Sequence, residues 1–330
     1  MTEEKKQLII FDGNALIHRA FHALPPLTTK KGELVNAVYG FLLVFLRTLR
    51  EFRPEFIAVA FDFPGPTFRH RKYKLYKANR EKAPDELYQQ IPKTKEILEN
   101  LGVQVFEKEG YEADDIIGTI AKNVSQDKAL SDIEIIIVSG DLDTLQLVDE
   151  KTKVYALRKG VKDIVLYGEK NVEEKYGGLK PKQLSDFKAL RGDPSDNIPG
   201  VFGIGEKTAI SLLEEFGSVE NLYKSLSQKS PAGGINPNLK AKLKEYKEKA
   251  FISKMLAELK YDVPVDFDLG KCRWGEYDKE KIAQILSAYE FNSLIKRFFD
   301  IKNNEEKAQK GKPVSKLSPE KFKNNLKLWQ

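Results

Sequence analysis

Four short apolar runs limit what this chain can become. Gln7–Phe11 (QLIIF), Phe56–Phe61 (FIAVAF), Gly102–Phe106 (GVQVF) and Ile133–Val138 (IEIIIV) read as buried strands. Lys153–Leu157 and Asp163–Leu166 read as two further edge strands. Val35–Phe52, Pro84–Leu101 and Ala113–Val124 carry the apolar spacing of helices. Strands that alternate with helices imply an α/β fold, a mostly parallel sheet with helices on both faces. In such sheets ligands bind beyond the carboxyl ends of the strands, at the topological switch point.

From Tyr176 the strand signal disappears. Pro181–Leu190, Glu206–Phe216, Leu239–Lys260 and Lys279–Phe291 read as helices divided by Gly, Pro and Ser. The expected organisation is an α/β domain over 1–175, a helical domain over 176–300, and a lysine-rich linker or tail over 301–330. That tail holds eight lysines and three glutamates, so it carries most of the formal net charge of +6. The body before it is close to neutral, and affinity for an anionic polymer has to come from local basic patches. The single cysteine, Cys272, excludes an internal disulfide and fits a reducing compartment. No apolar run reaches the roughly 18 residues of a membrane span. MTEEKKQLII carries no signal-peptide pattern. A cytoplasmic protein is expected.

Three strands end in aspartate: Phe11-Asp12-Gly13, Phe61-Asp62-Phe63 and Ser139-Gly140-Asp141-Leu142-Asp143. One acid at a strand end needs no explanation, but three at the ligand edge of one sheet do. A fourth element, Gly110-Tyr111-Glu112-Ala113-Asp114-Asp115, opens a helix. Acids there meet the helix macrodipole favourably. Yet Glu112 and Asp115 also share a face at i, i+3, and three crowded carboxylates repel unless cations bind. Asp193 and Asp196, in Arg191-Gly192-Asp193-Pro194-Ser195-Asp196-Asn197, read as turn residues or as further members of the cluster. Oxygen donors select Mg²⁺ or Mn²⁺ over zinc. His18 and His22 have a zinc-gripping i, i+4 spacing, but Arg19 stands where a zinc-protease glutamate would follow.

Two segments supply cations. Phe68–Lys82 (FRHRKYKLYKANREK) interleaves Arg69, Arg71, Lys72, Lys74, Lys77, Arg80 and Lys82 with Tyr73 and Tyr76. It reads as a solvated charged helix or as a clamp for single-stranded nucleic acid, cations on phosphates and rings on bases. Val201–Gly217 (VFGIGEKTAISLLEEFG) places a glycine turn before a helix, which offers backbone N–H groups to phosphate. It lacks the spacing of a phosphate-binding P-loop.

These motifs in this order resemble the 5′ nuclease family, which includes the 5′→3′ exonuclease domain of bacterial DNA polymerase I, phage nucleases and flap endonucleases. The likeness spans about residues 7–300 and is greatest to the polymerase I domain. It rests on the nine acids and on Arg19-Ala20-Phe21-His22-Ala23-Leu24, Ala37-Val38-Tyr39-Gly40-Phe41, Phe68-Arg69-His70, Tyr76-Lys77-Ala78-Asn79-Arg80 and Gly200-Val201-Phe202-Gly203-Ile204-Gly205-Glu206-Lys207-Thr208-Ala209. The resemblance implies a PIN-like sheet with a helical arch at about 64–83, followed by a helix–three-turn–helix domain. It implies one Mg²⁺ at Asp12, Asp62, Glu112, Asp114 and Asp115, and another at Asp141, Asp143, Asp193 and Asp196, with Mn²⁺ as the alternative. Lys77 and Arg80 become the phosphate-activating cations. Arg19, Arg69, Arg71, Tyr76, Gly203, Gly205, Lys207 and Thr208 become DNA contacts, with K⁺ at the glycine turn. His18 departs from the family, standing where an aromatic residue is common.

Two Mg²⁺ ions leave nine ionised carboxylates with a net charge of about −5, so some must hold metal through its water shell or carry a proton. Such a site repels phosphate unless cations stand beside it. The implied activity is a 5′→3′ exonuclease and flap endonuclease acting as a monomer on 5′ flaps, nicked or gapped duplexes and RNA-primed 5′ ends, with a DNA polymerase fused or separate. The alternatives are a PIN-like ribonuclease, which leaves the arch and helical domain unexplained, and a non-catalytic DNA-junction binder.

Overall fold

The structure is a computed structural model that describes residues 6–228 and 235–309. Its centre is one six-stranded sheet. The strands are β1 (Lys6–Asp12), β2 (Phe56–Ala60), β3 (Gln104–Phe106), β4 (Ile133–Ser139), β5 (Thr152–Lys159) and β6 (Asp163–Tyr167). Their order is β3-β2-β1-β4-β5-β6. All neighbours pair in parallel except β6, which runs antiparallel along β5. The sheet edge therefore lies at β6 and β3, and β5, expected at an edge, is interior. The chain turns from one side of β1 to the other between β3 and β4, which puts the switch point at the carboxyl ends of β1 and β4.

The apolar runs are strands because both faces are covered. Ile9, Phe11, Ile57, Val59, Ile136 and Val138 point into one core, with α1 (Gly13–Ala23), α2 (Asn36–Phe52) and α5 (Gln90–Asn100) over it. Leu8, Ile10, Ala58, Ala60, Ile135 and Ile137 point into the other, beneath α6 (Ala113–Gln126). Between these elements lie the short α3 (Phe68–Lys72) and α4 (Asp85–Tyr88). Only the first five residues of the basic segment are thus helical, and Tyr73–Arg80 continues as turns.

After β6 come α7 (Glu169–Lys175), α8 (Leu184–Arg191), α9 (Glu206–Phe216), α10 (Val219–Leu226), α11 (Pro237–Glu245), α12 (Lys247–Ala257), α13 (Lys279–Ala288) and α14 (Asn292–Gln309). Helices grouped by sequence into one C-terminal unit divide between two cores. Leu190, Val201, Ala209, Leu213, Leu222, Leu243 and Ala250 build a core of their own. Ile282, Leu286, Leu294 and Phe298 instead join the first sheet face. The backbone stays helical to Gln309, past the expected start of the tail, and 310–330 lie outside the described residues. No described helix is long and apolar enough to cross a membrane.

Candidate active site

Local folding places the strand-end acids. Asp12 ends β1 and caps α1, its Oδ1 accepting from the Ala15 N–H at 3.0 Å. Its Oδ2 accepts from the Ser139 hydroxyl at 2.6 Å, and the same hydroxyl accepts from the Asp141 N–H at 2.9 Å. Asp62 follows β2 and accepts from the Ala113 N–H, the first residue of α6, at 2.7 Å. Asp141 caps the 3₁₀ helix Leu142–Leu147, accepting from the Asp143 N–H at 2.9 Å. Three helix starts thus converge on the sheet's carboxyl edge, and their positive ends make a concentration of acids tolerable there.

Asp12, Asp62, Glu112, Asp114 and Asp141 line one open cleft of about 470 Å³, joined by Asn14, His18, Arg19, His22, Lys77 and Arg80. Burial pushes the Asp12 carboxyl up to about 7, with the charges of Asp62 and Asp141 adding to it. Asp114 is raised well above the usual range, first by burial and then by Asp12, Asp141 and Asp143. Asp62 is exposed at the cleft, and its carboxyl is also raised, desolvation by the surrounding cleft walls outweighing the pull of the Ala113 N–H.

Lysine and arginine separate the remaining acids. Burial opposes ionisation of Glu112, but Lys77 and Arg69 overcome it and hold the pKa low. Lys77 Nζ donates to Glu112 at 2.8 Å and lies 3.9 Å from Asp196. Arg80 pairs with Asp196, and the Tyr76 hydroxyl donates to both Glu112 and Asp196, at 3.1 and 3.3 Å. Lys188 on α8 bridges Asp143 and Asp193, at 2.6 Å from the latter. Burial still pushes Asp143 up to about 6. Asp193, although burial disfavours its charge, is held low by Lys188 and Ser195. Among the described residues no three His, Cys, Asp or Glu side chains already surround a point where a metal would sit. The donor chemistry nevertheless fits a hard divalent cation: oxygens throughout, on carboxyls whose ionisation desolvation and neighbouring acids disfavour.

The turn Asp193–Ile198 is pinned by reciprocal backbone bonds of 2.9 and 2.8 Å between its ends. Gly200 (φ +64°) lets it press on α8, since a β-carbon there would stand 2.3 Å from the Gly192 nitrogen. This close approach brings the Asp193–Asp196 pair of the helical region to the sheet edge.

Residues 7–177 match the family model described as 5′-3′ exonuclease, N-terminal resolvase-like domain. Residues 179–280 match 5′-3′ exonuclease, C-terminal SAM fold. The chain belongs to the 5′-3′ exonuclease family. DNA polymerase I of Bacillus subtilis is 44% identical over 297 residues, 90% of this chain and 32% of that protein. DNA polymerase I of Caldicellulosiruptor bescii is 45% identical over 295 residues, 88% of this chain and 33% of that protein. The chain therefore spans about a third of the length of these relatives. Among solved structures, phage T5 5′-exonuclease with bound divalent metal ions (zinc) aligns at TM-score 0.63 and 20% identity, over 90% of this chain and 99% of that one. A phage T5 flap endonuclease complex with DNA and metal ions aligns at TM-score 0.62 and 19% identity, over 90% and 98%. At these identities the likeness is one of fold.

Three of the residues expected at a ligand lie buried in the structure. Arg69, expected at DNA, is 1% exposed and donates to Asp115 at 2.7 and 2.8 Å and to the Leu256 and Glu258 carbonyls. Asp115, expected at metal, is fully buried and saturated by Arg69 and by the N–H groups of Glu112 and Lys260. Tyr76, expected under a base, is 3% exposed with its hydroxyl among the acids. Arg19 lines the cleft but spends its guanidinium on the Gly140 and Arg158 carbonyls. Arg71, Gly203, Gly205 and Lys207 are exposed and Thr208 is half-buried. The sequence reading missed Ser139, Asn14 and Lys188. Ser139 and Asn14 adjoin strand-end acids, and that adjacency was the available signal. Lys188 had none, because a lysine on a helix normally faces solvent.

Proposed function

We propose that this chain is a structure-specific 5′ nuclease that hydrolyses DNA phosphodiesters at 5′ ends and 5′ flaps with two divalent cations, Mg²⁺ ahead of Mn²⁺. One observation carries the reading: carboxylates from five chain segments meet the arch cations Lys77 and Arg80 at one sheet edge. Asp12, Asp62, Glu112 and Asp114 would hold one cation, and Asp141, Asp143, Asp193 and Asp196 the other. When bound, such ions supply the Lewis acidity that activates water and stabilises the leaving 3′-oxygen. The chain supplies the rest. Once Glu112 and Asp196 have another positive partner, Lys77 and Arg80 are released to neutralise charge on the scissile phosphoryl oxygens. Ser139 fixes the orientation of Asp12, and Asn14 accepts from the Asp62 N–H at 3.0 Å. Lys188, which bridges Asp143 and Asp193, would yield that pair to a cation held there.

The product carries a 5′-phosphate, and RNA-primed 5′ ends are natural substrates. A polymerase activity belongs with this one, in the same polypeptide or as a partner. A flap-structured DNA oligonucleotide incubated with Mg²⁺, then with EDTA, tests the reading. Flap release that EDTA abolishes is expected. Tight binding without cleavage would make the chain a junction binder, and a preference for single-stranded RNA would make it a PIN-like ribonuclease. In the same assay Lys77→Ala and Arg80→Ala should each lower turnover on the order of 10²-fold or more. Their thermal stabilisation by Mg²⁺ should persist. Near-normal turnover in both would remove the arch from the chemistry.

A further inference from the structure

The peptide group between Gly140 and Asp141 is gripped at both ends. Its carbonyl, on Gly140, accepts from Arg19 Nη2 at 2.8 Å, and its N–H, on Asp141, donates to the Ser139 hydroxyl oxygen at 2.9 Å. A peptide group is planar, so pinning both polar ends fixes the orientation of that plane. It also fixes the direction in which the Asp141 side chain leaves the backbone. The grip is close: a β-carbon on Gly140 would stand 3.2 Å from the Ala15 carbonyl oxygen and 3.3 Å from Arg19 Nε. Arg19 reaches sideways as well, its Nη1 donating to the Arg158 carbonyl of β5 at 3.1 Å. One guanidinium thus ties α1 to β5 and to the turn after β4. Such a bridge suits the rigid planar fork of arginine, which the ammonium of lysine does not reproduce. Ser139 also donates to Asp12 at 2.6 Å, so a single hydroxyl links Asp12 of one acid group to Asp141 of the other.

We propose that Arg19 is a positioning residue: by holding the Gly140–Asp141 peptide against α1, it aims the Asp141 carboxylate at its cation. The inference rests on the nuclease reading and moves Arg19 from the DNA strand, where the sequence puts it, to the support of the metal site. A phosphate contact needs only a positive charge that can reach the strand. Two backbone carbonyls from separate elements instead hold this side chain to the cleft wall. Groups that orient a ligand without touching the metal change metal affinity or activity about 10–100-fold when they are lost. Arg19 and Ser139 differ in reach. Arg19 acts on Asp141 alone, whereas Ser139 acts on Asp141 and Asp12 together.

The test uses the whole chain and Arg19→Lys, which keeps the charge and loses the fork. Mn²⁺ binding is read by calorimetry without DNA. Binding of a 5′-flap oligonucleotide is read by fluorescence anisotropy in Ca²⁺, across a salt series. Arg19→Lys should weaken one of two Mn²⁺ binding events about 10-fold or more and leave the other near the parent value. Flap release at saturating DNA should slow by about the same factor, while DNA affinity and the slope of log Kd against log salt stay those of the parent. Ser139→Ala should weaken both Mn²⁺ events. Where Arg19→Lys melts well below the parent in EDTA, the comparison falls to Ser139→Ala, and parent-like Mn²⁺ binding there would equally overturn the proposal. Parent-like Mn²⁺ binding in Arg19→Lys would overturn it while leaving the nuclease reading intact. For Arg19 as a phosphate contact, that result would come with weaker DNA binding. A parent chain that takes up no Mn²⁺ would overturn both.

Discussion

Asp114 and Asp115 are neighbours in sequence and opposites in physics. Asp115 faces a buried guanidinium 46 positions away, with bidentate bonds of 2.7 and 2.8 Å. Asp114 faces the like charges of Asp12, Asp141 and Asp143. Removing one partner of a buried pair strands the other, which costs about 3–5 kcal/mol. Neutralising a buried carboxylate among other carboxylates relieves repulsion. In EDTA, then, Asp115→Asn should lower unfolding free energy by about 3–5 kcal/mol in urea titrations, while Asp114→Asn should raise it. In Mg²⁺ the Asp114 variant should lose its advantage. The opposite ranking in EDTA would make Asp114 the structural acid. The sequence could not separate the two, because their difference lies in Arg69, whose direction is set by carbonyls of Leu256 and Glu258 far along the chain.

At the scale of elements, the basic segment shows where sequence reading stops. Its charge and its place after β2 put cations near the acids, since a segment that follows β2 cannot stray far from Asp62, and the structure sets Lys77 beside Glu112 and Arg80 beside Asp196. Its helical character beyond Lys72 was not realised, because Tyr73–Arg80 makes its bonds outward. The Lys77 N–H donates to the Asp196 carbonyl, Asn79 donates to Pro194, and the Asn197 amide donates to the Leu75 carbonyl at 2.7 Å. Lys77 (φ 53°) and Asn197 (φ 56°) both sit in left-handed backbone, which a non-glycine residue keeps only when its surroundings enforce it. Asn197→Ala removes the bond and the residue type that tolerates this backbone. It should speed tryptic cleavage within Arg71–Arg80 several-fold in the absence of DNA, as followed by mass spectrometry. Asn197→Gly, which keeps the backbone but not the bond, should fall between. Parent-like cleavage in Asn197→Ala would show that the segment is docked by its ion pairs alone.

For the molecule as a whole, the alternating apolar runs sufficed to predict a parallel sheet and its ligand edge. Return of α13 and α14 to that sheet was not legible, since amphipathic helices do not name the face they cover. Concentrating acids at the edge carries a cost that depends on pH. Asp12 and Asp143 rise from an ordinary 3.8 to about 7 and about 6, and Asp62 and Asp114 rise as well. A carboxyl whose folded pKa is raised stabilises the fold below its unfolded pKa and loses that contribution as pH climbs through the folded value, at about 1.4 kcal/mol per unit. Glu112 and Asp193, which are lowered, act only below about pH 4. Half-buried His18 and His70, also lowered, oppose the trend below about pH 6.5. In EDTA the melting temperature should therefore fall as pH rises through about 6 and about 7, where Asp143 and Asp12 titrate. Divalent ions need the ionised acids, so the melting-temperature gain from Mg²⁺ should grow over the same interval. Asp12→Asn should flatten the EDTA curve as pH approaches about 7, where the Asp12 carboxyl titrates. A curve that rises with pH in EDTA would mean that water reaches these carboxyls and that cations are not what the folded site lacks.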